Sequence, residues 1–197
     1  VFLETSPMRR RARLALFLAL GVVAAPAAVR ADDIRNAIAE AQRAYQAGDL
    51  NATRDALAEA SQLLAQRAAD NLSGALPAAL PGWQAGEAER QAAAAGLFGG
   101  ISQASRTYRH SSGREVKVEI TADNPMIAQF AMAFANPAMA GVMGRLIRIG
   151  NQRAIQQQDG QIVMVANNRF LIQVSGDGTP EEKLAYARAI DMTKLPN

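Results

Sequence analysis

Three tight turns crowded into the C-terminal third constrain this chain more than any other feature. Gly150-Asn151, Asp159-Gly160 and Asn167-Asn168 each supply residues that tolerate positive φ. They separate four candidate strands, at 146–149, 154–157, 161–166 and 169–174. The gaps are too short for the crossover a parallel pair needs, so these strands form an antiparallel meander. Upstream, 115–121 alternates cleanly. Val116, Val118 and Ile120 point one way, and Glu115, Lys117 and Glu119 the other, as in a half-buried antiparallel strand. Ser111-Ser112-Gly113 is the turn joining it to a strand at 105–110. After the last strand, Thr179, Pro180 and Glu182 stand at the N-cap, N1 and N3 positions of a capping box. The helix they open runs to about Met192, with Leu184, Ala187 and Ile190 inward.

Residues 32–72 read as helical. Ile34, Ala37, Ile38, Ala41 and Tyr45 recur at helical spacing, and Leu57, Ala60, Leu63 and Leu64 form a second stripe. Gly48 ends the first helix and Asp49 caps the second, which makes a hairpin over 32–72. The pattern Ala41, Tyr45, Gly48-Asp49, Leu57, Ala60 and Leu63-Leu64 resembles one tetratricopeptide-like hairpin. Thr53 departs from the usual small Ala, and no second repeat follows. A lone hairpin leaves its face open, so the resemblance implies docking on the rest of the chain or on a partner. Residues 73–83 are a linker punctuated by Pro77, Pro81 and Gly82, with Trp83 anchoring it in the following domain. Residues 85–97 are Ala-rich and predict a short helix. The expected fold is α+β: an antiparallel sheet of about five to six strands over 84–197, with helices on one face, preceded by the hairpin. The pattern from Leu80-Pro81-Gly82-Trp83 through the C-terminal strands and helix resembles small secreted bacterial α+β domains. It is loosely similar to the PsbP/Mog1-like fold, a similarity that implies no activity.

Residues 1–31 carry a separate signature. Arg9, Arg10, Arg11 and Arg13 precede an apolar run at 14–26, and Val29 and Ala31 stand where a signal peptidase requires small residues. The expectation is a signal peptide cleaved after Ala31 and a periplasmic mature chain beginning at Asp32. The charge balance depends on this segment. The chain has 21 basic and 18 acidic residues, of which 1–31 hold five and one. Residues 32–197 therefore carry 16 basic and 17 acidic groups, a net of −1. That excludes the basic footprint a nucleic-acid partner needs. The chain has no Cys and one His, His110, so thiolate zinc sites and multi-His metal sites within one chain are excluded.

No nucleophile elbow, P-loop, dinucleotide fingerprint or zincin motif occurs, so no catalytic residue or cofactor is assigned. The most unusual segment is 124–144, which holds no charged residue. It is expected to form two short helices divided around Pro137 and Gly141. Met126, Ile127, Phe130, Phe134, Met139, Val142 and Met143 are its candidate binding residues. One reading packs the helices on the sheet as core. The other offers an apolar surface to a hydrophobic ligand, an envelope partner or a membrane. With Arg145, Arg148 and Arg153 the segment would suit a peripheral lipid contact. Two alternatives stand beside this non-catalytic reading. Met126, Met132, Met139 and Met143 offer thioethers for Cu(I), and His110 would serve as a base if a nucleophile converged on it.

Overall fold

The computed structural model describes residues 31–96, 99–124 and 126–195. The expected leader lies outside these, except for Ala31. Two helices open the described chain, α1 (Ala31–Gln46) and α2 (Leu50–Ser73). Gly48 takes the left-handed φ of +79° that the turn between them requires. The Asp49 carboxylate accepts from the backbone N–H of Asn51 and Ala52, satisfying orphan donors of α2.

The sheet contains eight strands: β1 (Trp83–Ala85), β2 (Glu89–Gly96), β3 (Gly99–His110), β4 (Glu115–Ala122), β5 (Arg145–Ile149), β6 (Gln152–Gln156), β7 (Ile162–Ala166) and β8 (Phe170–Gly176). Every pairing is antiparallel, in the order β1-β3-β4-β8-β7-β6-β5. β1 and β2 lie end to end along the outer edge of β3. Two helices, α3 (Met126–Ala135) and α4 (Pro137–Met143), carry the chain from β4 to β5, and α5 (Pro180–Ala189) follows β8. The expected α+β class holds. The strand count exceeds the expected five to six, chiefly because 85–97 supplies a strand where a helix was expected. Alanine is the best helix former, but intrinsic propensity is a weak preference, and pairing with β3 beneath α2 overrides it.

Strand alternation divides the core between two faces. Val116, Val118 and Ile120 of β4, Ile172 and Val174 of β8, and Met164 of β7 are fully buried on one side, beneath Leu72 of α2 and Tyr186 and Ala187 of α5. Ile155, Val163 and Leu171 point to the other side and pack against α3 and α4. Helices therefore cover both faces, not the single face expected. The reason is visible in β7, which is apolar at every position and must be shielded on both sides. β4 alternates, and its second face stays polar, with Lys117 and Glu119 paired at 3.0 Å. The capping box forms as expected: Thr179 Oγ1 accepts from Glu182 N–H, and Glu182 Oε2 accepts from Thr179 N–H. Arg114 then donates to both oxygens of Glu182. This arginine holds the Glu182 carboxyl below its ordinary range, with burial opposing. α5 is thereby tied to the β3–β4 turn.

Candidate interaction face

The helical cap over β6–β8 is built by local rules. Asn124 Oδ1 accepts from Met126 N–H at 2.8 Å and starts α3. Asn136 Oδ1 accepts from Ala138 N–H at 3.0 Å, and Pro137 occupies the first turn of α4. Gly141 lies inside α4 and divides nothing. Ile127, Phe130 and Phe134 recur at i, i+3 and i+7, which places them on one stripe. That stripe is buried against Ile155, Val163 and Leu171, together with Ala140.

The sequence-derived set is thus divided. Ile127, Phe130 and Phe134 belong to the core, and Met143 is half-buried against it. Met126, Met139 and Val142 remain open, as does Met132, which the binding set omitted. Val142 is 89% exposed and Met132 62%. The cap is consequently uncharged, apolar inside and apolar on much of its outside.

The neighbouring hairpin adds what the sequence reading did not assemble. The Gly150-Asn151 turn sets Arg148 directly opposite Arg153, and Leu146 opposite Ile155. Ile155 faces α3 and α4, so Leu146, Arg148 and Arg153 lie on that side of the sheet too. Leu146 is 44% exposed. Arg153 donates to the carbonyl of Phe134 at 3.1 Å, which joins the arginine pair to the end of α3. Like charges directly opposite on adjacent strands repel. Among the described residues, no carboxylate forms an ion pair with Arg148 or Arg153. Both line a cleft of about 340 Å³, together with Phe134, Leu146 and Ile147. Turn length alone fixed this register, so the arginine pair was readable in principle from the sequence.

The other sequence candidates sit elsewhere. His110 ends β3, its ring 5.0 Å from that of Trp83. Its Nδ1 accepts from Ser112 N–H at 3.2 Å and lies 2.8 Å from Ser112 Oγ. Both contacts span two residues within one exposed turn. The ring closes that turn, and no carboxylate among the described residues hydrogen-bonds its other nitrogen. Trp83 is half-buried, edge-on to Tyr186 at 5.3 Å, where it joins the linker to the main core. Of the four methionines considered for copper, Met126 and Met132 are six residues apart on α3, which puts them about 120° apart around the helix axis. Among the described residues no helix is long and apolar enough to cross a membrane. Comparison with protein-family models, curated proteins and solved structures gave no match to the chain.

Proposed function

We propose that this is an exported, non-catalytic interaction protein of the cell envelope, and that the outer face of α3 and α4 docks on an anionic membrane surface. The observation that carries the reading is the exposed apolar cap, with Met132, Met139 and Val142 outward, beside the two like-charged arginines of β5 and β6. Apolar side chains of this kind enter the boundary between headgroup and acyl chain. An anionic headgroup would offset the repulsion between Arg148 and Arg153. Methionine suits a fluid apolar counterpart because its side chain is flexible and polarizable. The periplasmic location rests on the leader pattern at 1–31.

Flotation of the purified protein with vesicles tests the docking. Vesicles containing phosphatidylglycerol are expected to carry the protein upward, and pure phosphatidylcholine vesicles much less. Val142→Asp and Arg148→Glu are each expected to reduce the bound fraction several-fold while leaving the circular dichroism spectrum unchanged. Equal recovery of wild type and both variants, or no flotation at any composition, would refute the reading. The location has its own test. The protein recovered from cells should begin at Asp32 by mass spectrometry, and retention of residues 1–31 would overturn it.

A further inference from the structure

The helical hairpin hides its small residues and shows its large ones. The seam of α1 is Ala37, Ala41 and Ala44, all buried, and α2 buries Ala56 and Ala60 at the same level. Alanines at the contact let two helices approach closely. The large apolar residues are displaced to one side. Ile38, Tyr45, Leu50, Leu57 and Leu64 are 49%, 67%, 63%, 54% and 51% exposed.

These five residues share a face. At 100° per residue, Ile38 and Tyr45 lie about 70–90° from the middle of the α1 seam, and Leu50, Leu57 and Leu64 lie about 60–100° from the middle of the α2 seam, in the same rotational sense. Because the helices are antiparallel across the 47–49 turn, both displacements fall on the same side of the hairpin. Counted from Gly48 along the antiparallel helices, they fall at three levels: Tyr45 with Leu50, Ile38 with Leu57, and half-buried Ile34 near Leu64. Leu50, Leu57 and Leu64 repeat every seven residues, the spacing of a seam that stays in contact along another helix. A small ligand would not need that length.

We propose that this face is the contact between two copies of the chain, which pair hairpin to hairpin. Three observations select a second copy. About half the surface of five large side chains is open, ~500–600 Å². Two such faces together bury about 1,100 Å², and flanking residues bring the total into the ~1,200–2,000 Å² range of specific interfaces. Leu50 and Leu64 stand seven residues to either side of Leu57, so two copies related by a two-fold axis at the middle layer lay one leucine ladder along the other. Of the cations at the rim, Arg35 is paired with Asp32 at 3.3 Å, and Arg54 hydrogen-bonds the neutral amide of Asn51 at 3.5 Å. That is no row of charge that would call for an acidic partner or keep a second copy away.

The proposal involves residues on a different element from the membrane-docking cap, and its test is separate. Sedimentation equilibrium of the purified protein should give twice the chain mass at tens of micromolar. Leu57→Asp should return it to the chain mass with an unchanged circular dichroism spectrum, whereas Val142→Asp should leave it doubled. The chain has no Cys, so Leu57→Cys introduces a single thiol. In a two-fold pair the middle layers meet, and a short bis-maleimide should link two copies through this position in high yield. The same reagent on Gln158→Cys should not. A single-chain mass up to 100 μM, or a doubled mass that Val142→Asp abolishes and Leu57→Asp does not, would overturn the proposal. If Leu57→Asp unfolds the protein, the cross-link decides: no linked product at Leu57→Cys refutes the contact.

Discussion

Replacing Phe130 by Ser separates the two roles that the apolar segment combines. Phe130 is 8% exposed and packs in the small second core with Ile127, Phe134, Ile155, Val163 and Leu171. Truncating a buried Phe to a small residue costs about 3–5 kcal/mol, from lost transfer energy and the cavity left behind. A serine hydroxyl without a partner adds about 1 kcal/mol. Domains of this size are stable by roughly 5–15 kcal/mol, so the variant should lose a large part of its margin. With a urea slope of about 2 kcal/mol/M, the midpoint should fall by ~2 M. Val142→Ser, at an 89% exposed position, should stay within about 0.5 kcal/mol of wild type. Far-UV circular dichroism follows the whole chain in this experiment, and fluorescence follows Trp83, the only Trp. Trp83 packs with the main core, on the other side of the sheet from Phe130. β6, β7 and β8 contribute to both cores, so the two signals should shift together. A Phe130→Ser midpoint within 0.3 M of wild type, or a larger loss from Val142→Ser, would refute the assignment of inner and outer faces.

Two further predictions follow from the main core and the strand ends. Burial pushes the Tyr108 hydroxyl from its ordinary value near 10 up to about 12, and that hydroxyl donates to the Pro77 carbonyl at 2.7 Å. A raised group supports the fold fully below its unfolded pKa, and that support is lost as pH rises through the folded value. Stability should therefore fall by about 2–3 kcal/mol between pH 10 and 12, and urea titrations of Tyr108→Phe should show a clearly shallower fall. Gly176 ends β8 at φ +112°, and a Cβ there would collide with the Glu115 carbonyl oxygen. Gly176→Ala should cost about 2–4 kcal/mol, whereas Gly141→Ala, in open space on α4, should gain about 0.5–1 kcal/mol from helix propensity. Thermal melts that rank the two glycines the other way would exclude this account.

What the sequence disclosed depended on how local the cause was. The capping box, the Gly48 and Asp49 punctuation and the three meander turns act within a few residues, and each stands where the pattern put it. β2 did not, because its cause is distant: Glu89–Gly96 is extended since it pairs with β3 and lies under α2, facts that composition does not carry. The same distinction explains the helical faces. A period of 3.6 residues says that Ile38, Ala41 and Tyr45 share a broad stripe, and likewise Leu57, Ala60 and Leu64. It does not say which part of the stripe meets the neighbouring helix. Here the alanines do, since they permit the closest approach, and the larger side chains are left open beside the seam. In α3 the order reverses: the phenylalanines meet the sheet and the methionines face outward. α1 has a helix as its inner neighbour, whereas α3 lies on a sheet floored by Ile155, Val163 and Leu171, which takes large side chains. Size selection at each seam is therefore set by the partner surface. That is why a chain of modest length leaves two separate apolar faces open, one on the hairpin and one on the cap.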